Sequence, residues 1–250
     1  MKQILLLVFG LFLSLCAFTQ RSVKDSILTA PHLTIHYAYH LPSGDMGDRF
    51  GNSSALGVDF YVKTKKNLFL GGEGNFIFGD NVFEPGLLSN LVTENGEIID
   101  QDGKISELKI QQRGWTVSLN AGKLFPIFGP NPNSGLLLRG GLGFMQHKIR
   151  IEHQVNTLPQ LDGDYEKGYD RLTNGLMLTQ FVGYYHMSNN RLANFVIGVE
   201  SMQGFTQGRR DFNFDTQTVD DQPRFDMLAG IKIGWIIHFY ARTGEEYYYD

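Results

Sequence analysis

Five charged residues, Asp59, Glu73, Arg139, Glu200 and Lys232, fall with His36, His40 and His238 on the polar side of segments in which apolar and polar residues alternate. Three carboxylates among two fixed cations and several imidazoles have the chemistry to relay protons, to ligate a metal, or to brace one another as ion pairs. The histidines come from the first and last alternating segments and do not combine a local ligand spacing with a carboxylate, as zinc sites do. Neither a metal nor a cofactor is expected. Where such groups are packed away from water an unpaired charge costs several kcal/mol, so mutual pairing is the simplest use for them.

Two further motifs invite chemistry and fail on spacing. The stretch Asp100 to Glu107 looks like a piece of a calcium loop, but aligning Asp102 and Gly103 to its fifth and sixth positions puts Ile98 at the first ligand and Lys109 at the bidentate twelfth. The pairs Asn95-Gly96 and Asp102-Gly103 read instead as turns, with strands projecting between them. Acidic residues here and from Asp162 to Asp170 read as solvated faces. A hydrolytic triad needs Ser, His and an acid brought together. His153 is the histidine in a long connection, whereas Ser53, Ser54, Ser89 and Ser106 lie in other connections. No enzymatic activity is expected.

The elements that must position the charged residues follow from a period of two. Leu33, Ile35, Tyr37 and Tyr39 oppose Thr34, His36, Ala38 and His40, and Ala229, Ile231, Ile233, Trp235, Ile237 and Phe239 oppose Gly230, Lys232, Gly234 and His238. Six more segments lie between them: one around Leu56 to Val62, then Leu68 to Phe78, Trp115 to Ala121, Leu136 to Phe144, Gly175 to Met187, and Ala193 to Glu200. The sixth segment stays open, because Gln180 and His186 share a face with Leu178 and Val182. Connections alternate in length. Lys63 to Asn67, Gly129 to Ser134 and Ser188 to Arg191 are short, while Pro42 to Ser54, Gly79 to Arg113, Glu152 to Asn174 and Phe205 to Phe225 are long.

Composition and the leader fix the setting. Lys2 followed by the apolar run Ile4 to Phe18 reads as a signal peptide over residues 1–19, which takes Cys16, the sole cysteine, with it. Hydrophobic residues make up 42%, aromatics 13% and glycines number 29, yet mean hydropathy is −0.19. After the leader no run approaches the roughly 20 apolar residues of a spanning helix. Abundant Gly and aromatics without such runs suit a sheet that alternates between lipid and a polar lumen. A net charge of −4 gives no basic footprint for nucleic acid. The expected fold is all-β: a closed, eight-stranded, antiparallel up-and-down transmembrane barrel with long outer loops and short periplasmic turns. Residues 20–31 form a short periplasmic segment, 32–240 the barrel and 241–250 a periplasmic tail.

The last segment, Gly230 to Tyr240 reading GIKIGWIIHFY, resembles the aromatic-ended signal that the barrel assembly machinery reads, although a polar tail bearing Tyr247, Tyr248 and Tyr249 follows it. With the architecture of the whole mature chain, it resembles the small eight-stranded outer-membrane barrels of the OmpX and OmpW type, particularly their Bacteroidota counterparts. The resemblance implies a Gram-negative outer membrane, contact with its lipid, and passage through the barrel assembly machinery. Trp235, Phe239 and Tyr240 are then interface aromatics, and Asp59, Glu73, Arg139, Glu200 and Lys232 a network plugging the lumen. Three uses of such a barrel remain open. The first is a non-catalytic structural or accessory subunit of a secretion or barrel-assembly complex, docking through the wall, the tail or the outer-loop residues Leu87, Leu88, Leu91, Val92, Ile98 and Ile99. The second is a barrel that binds or transports a small or hydrophobic solute. The third is a soluble, lipocalin-like ligand barrel, which needs the apolar faces turned inward.

Overall fold

A computed structural model of the chain describes residues 26–153, 158–189 and 193–239. The proposed leader, Tyr240 and the 241–250 tail lie outside these residues.

Period-two alternation becomes a single ring of strands. β1 (Ala30–Gly44) leads through a short helix, α1 (Asp45–Arg49), into β2 (Ser53–Lys63) and β3 (Leu68–Gly79). A small hairpin of β4 (Ile98–Ile99) and β5 (Ile105–Ser106) stands in the next connection. The ring continues with β6 (Lys109–Phe125), β7 (Gly135–Glu152), β8 (Thr173–His186), β9 (Phe195–Gly208) and β10 (Pro223–His238). Strand order around the ring is β1-β10-β9-β8-β7-β6-β3-β2, closed by antiparallel pairing of β1 with β10 from His32↔His238 to Gly44↔Asp226. Among the described residues no helix is long and apolar enough to cross a membrane, which says nothing of crossing by strands.

All the ring strands except β2, which has 11 residues, are longer than the 9 to 11 residues that cross a bilayer. β6 has 17 residues and β7 has 18, so this hairpin stands beyond its neighbours at the long-loop end. The sequence suggests projecting strands in the Gly79 to Arg113 connection. β6 does begin within that connection, at Lys109, whereas β3 stops at Gly79 and the rest of the loop folds back, burying Leu88 and Ile98 in the core at that end. The turns follow the expected chemistry. Asp100 Oδ1 accepts the backbone N–H groups of Asp102 and Lys104 at 2.9 and 2.8 Å, with Gly103 at φ 78°. At the other end Asn67 takes φ 57°, where its short side chain tolerates a left-handed backbone, and Thr64 Oγ1 accepts from the Leu68 amide at 3.2 Å.

The alternation sorts side chains into two surfaces. Leu119 is 74% exposed, Leu176 73%, Leu142 69% and Leu70 68%, all on the outer wall, while polar residues on the same strands are buried inside. β8 resolves the one open assignment: Leu176, Leu178, Gln180, Val182, Tyr184 and His186 point outward, and Met177, Phe181 and Tyr185 inward. Gln180 is satisfied on the outer wall by a reciprocal amide pair with Gln203 of β9, both bonds 3.2 Å.

The bore is filled in three tiers. Near the short turns Tyr61, Phe69, Tyr185, Leu137 and Ile236 form an apolar cluster with Leu28. Charged groups occupy the middle. Toward the long loops Met145, Met177, Met202, Ile77 and Leu228 make a second apolar cluster that continues under the loops through Met46, Phe50, Leu161 and Tyr169.

Candidate functional site

The middle tier is built from opposite sides of the ring. β2 and β3 place Asp59 directly across from Glu73, two like charges that repel unless cations reach them. Those cations come from β7 and β10. Lys232 is fully buried, donates to Glu200 Oε2 at 2.7 Å and bonds Glu73 Oε1 as well. Arg139 lies 3.7 Å from Asp59 Oδ2 and 4.0 Å from Glu73 Oε2, holding both by charge. His40 meets Glu200 Oε1 at 2.8 Å, and His36 meets Asn75 Oδ1 at 2.6 Å and Asp59 at 3.5 Å. Asn75 in turn donates to Glu73 Oε1 and to Thr116 Oγ1, each at 3.0 Å. Strands β1, β2, β3, β6, β7, β9 and β10 are thereby braced through one network. All five charged residues singled out in the sequence meet in it.

Arg139 is clamped by rings. Its guanidinium carbon sits 4.6 Å from the ring centres of both Tyr61 and Phe181, a cation–π sandwich that desolvation strengthens. Glycines make the room: a Cβ on Gly183 would lie 2.5 Å from the Phe181 ring tip, and one on Gly71 2.6 Å from the Tyr61 ring. The sequence carries no sign of the clamp, because the two rings stand on strands far apart in the chain.

His238 sits apart from the charge network. Its Nε2 lies 2.7 Å from the Tyr185 hydroxyl, and its ring 5.4 Å from that of His32, which belongs to the same inward layer. Among the described residues no group of three or more His, Cys, Asp or Glu is arranged to hold a metal ion.

The long-loop mouth carries a second set of ion pairs that periodicity does not reveal. Asp226, fully buried, bonds Arg49 of α1 at 3.2 Å, His147 Nε2 at 2.8 Å and the Thr206 hydroxyl at 2.5 Å. Burial pulls the Arg49 guanidinium below its ordinary value, with repulsion from Arg224 adding to it and Asp226 opposing it. Arg171 donates to Asp215 Oδ1 at 2.6 Å and to Glu84 Oε1 at 3.3 Å, and Asp215 Oδ2 also caps the Leu88 amide at 3.0 Å. Arg210 grips Asp170 with two bonds of 2.7 and 2.5 Å, which pushes its guanidinium above the ordinary value. Three long connections are locked to one another over the bore.

Of the loop residues suggested as a docking surface, Leu88 and Ile98 are buried and Leu87 and Leu91 partly so, while Val92 and Ile99 are 39% and 49% exposed. Trp235 is 59% exposed on the outer wall, and Phe239 ends the described chain half-buried, its amide bonded to the Pro31 carbonyl at 2.8 Å. His153 lies 3.5 Å from Asp162 in the same connection.

An apolar wall around a charged, filled bore is the inside-out distribution of a barrel that sits in lipid. No protein-family model matches the chain, and no curated protein matches it in sequence. Among solved structures it is similar to Ail, the attachment invasion locus protein of Yersinia pestis, in complex with the heparin analogue sucrose octasulfate: 13% identity, 84% of this chain and all of that one covered, TM-score 0.36. It is similar to Neisserial surface protein A at 8% identity, covering 82% of this chain and 95% of that one, TM-score 0.41. A third similarity is to the outer membrane protein OprG of Pseudomonas aeruginosa, at 12% identity, 86% and 99% coverage and a TM-score of 0.38.

Proposed function

We propose that this chain is an integral barrel of a Gram-negative outer membrane. It acts through its wall and outer loops as a non-catalytic structural or accessory subunit of an envelope complex, such as secretion or barrel-assembly machinery. The observation that carries the reading is the pairing of a lipid-compatible wall with a bore occupied from end to end. Leu70, Leu119, Leu142 and Leu176 would be untenable on a water-soluble barrel, where apolar faces turn inward. With the bore braced by Lys232 and Arg139 and roofed by interlocked loops, the surfaces left for function are outside it. On the loops these include Val92, Ile99, Ile105 and Phe83, all exposed apolar residues.

Two measurements test the reading. The folded chain should migrate differently on SDS gels before and after boiling, and should give no steady conductance in planar bilayers. A constant open-channel current sinks the closed-bore half and favours the solute-transport reading. For the subunit role, a photo-crosslinker at Val92 or Ile99 in intact envelopes should give one discrete adduct that a crosslinker at buried Leu88 does not. Identical patterns from all three positions refute docking through this loop.

A further inference from the structure

At the short-turn end the bore is closed by the chain's own N-terminal segment. β1 lies between β2 and β10, whereas the turn joining β6 to β7 stands on the far side of the ring. Residues 26–28 span the mouth between them. Asn133 of that turn takes the segment by its backbone: Oδ1 accepts the Leu28 N–H at 2.9 Å, and Nδ2 donates to the Ser26 carbonyl at 2.8 Å. From the near side Lys63, opposite Ala30 on β2, donates to the Leu28 carbonyl at 3.1 Å and to the same Asn133 oxygen at 2.8 Å. Lys63 and Asn133 are both fully buried.

These bonds ignore side-chain identity, and a single pocket supplies it. Leu28 is buried among Tyr61, Phe69, Leu137 and Tyr185, while Ser26 and Ile27 stay exposed. Main-chain bonds for affinity and a side-chain pocket for specificity are the means by which extended peptides are recognised in trans. The seat is braced without its occupant: Asn131 Oδ1 accepts the Asn133 amide at 3.0 Å, Asn131 Nδ2 donates to the Met187 carbonyl at 2.7 Å, and Asn67 Nδ2 to the Pro132 carbonyl at 3.1 Å. The occupant leaves one demand unmet. Both acceptors of the Lys63 ammonium are neutral, and among the described residues no carboxylate pairs with it. A buried cation without an anion is costly.

We infer that the short-turn mouth is a binding site for the carboxyl end of an extended peptide with a Leu-sized last residue, filled here by the chain's own residues 26–28. A ligand that ends at the Leu28 position sets a carboxylate where Lys63 now meets a carbonyl. It keeps both Asn133 bonds and brings the absent anion. The tethered segment competes at an effective concentration of about millimolar, so the extra charge interaction is what admits an incoming peptide. This site goes beyond docking through the wall and outer loops and needs only the closed ring. That it faces the periplasm rests on the membrane placement proposed above.

The test uses the chain from Gln20 to Asp250 in detergent micelles. The probe is the tripeptide Ser-Ile-Leu with fluorescein on its N-terminus, as the free acid or the C-terminal amide, and binding is read by fluorescence polarisation. L28G unseats the tethered competitor and should bind the acid on the order of tenfold more tightly than wild type does. It should also prefer the acid to the amide by about tenfold, because bonds to a charged acceptor are the stronger ones. L28G/N133A should bind neither form, and L28G/K63M should bind both alike. Binding by L28G no tighter than by wild type, or unchanged by N133A, overturns the site, and equal binding of acid and amide by L28G overturns the carboxylate. A boiling-dependent gel shift checks folding in every sample, and L28C decides if L28G fails it. The thiol of L28C, alone in a chain that lacks Cys16, should resist maleimide until unlabelled acid peptide is added in excess, and then react on the order of tenfold faster. Rapid labelling without peptide, or protection that the peptide does not lift, overturns the exchange.

Discussion

Replacing Lys232 with Met should strand two carboxylates in the bore and destabilise the barrel. The ammonium is fully buried and serves two carboxylates, Glu73 and Glu200, which are 9% and 6% exposed. Removing one partner from a buried ion pair costs about 3–5 kcal/mol, chiefly because the stranded charge cannot be rehydrated. Here two charges are stranded, but each keeps a second neighbour: Arg139 at 4.0 Å for Glu73 and His40 at 2.8 Å for Glu200. The lower end of that range, about 3 kcal/mol, is therefore expected, a change of more than a hundredfold in the folding equilibrium at about 1.4 kcal/mol per tenfold. The triple variant K232M/E73Q/E200Q removes the charges together and should return to within about 1 kcal/mol of wild type, because neutral, well-packed substitutes for buried ion pairs are often no less stable. Reversible urea unfolding in lipid vesicles measures both. The two tryptophans, Trp115 and Trp235, stand on the outer wall, and their emission reports transfer from lipid to water. If K232M unfolds within about 1 kcal/mol of wild type, or the triple variant is as unstable as the single one, stranded charge is not what this network guards against.

Two further outcomes follow from the same geometry. Leu119→Arg, at the middle of β6 on the outer wall, should cost about 2–4 kcal/mol in vesicles, whereas Tyr165→Arg on an exposed loop should cost close to nothing in the same urea titration; equal effects would argue against lipid around β6. Gly183→Val should lower stability by about 1–3 kcal/mol, since its Cβ would lie 2.5 Å from the Phe181 ring and push it off Arg139. A thermal melt of G183V matching wild type would mean that the clamp is not tightly packed.

The outer wall was legible because lipid imposes one requirement on every outward position, and β1 from Leu33 to Leu41 and β10 from Phe225 to Trp235 meet it without exception. β8 was not, because Gln180 answers to a partner on β9 that no local pattern announces. The inner face was legible only in part. A polar lumen accounts for Asp59, Glu73 and Lys232, but Met145, Met177, Met202 and Leu228 also point inward, filling the bore beyond the charges. In sequence an inward methionine looks no different from an outward one. The bonds among Arg49, His147 and Asp226 join a helix to two strands as many as 177 residues apart, and those of Arg171 and Asp215 join two loops. Pairings of that kind depend on how loops fall over a finished barrel, and that lies beyond any periodicity.

The seam between β1 and β10 bears on how this molecule comes into being. Its register joins the first described strand to the last, so the sheet keeps two unpaired edges until the 16 residues of β10 are in place. Contacts of such wide sequence separation form slowly, because the chain must close its largest loop before the pairing rewards it. Throughout that interval the backbone of β1 offers donors and acceptors to any strand that comes near. A chain synthesised from the N-terminus thus spends its whole early life as an open template, and its escape from aggregation is decided by how quickly its final segment arrives.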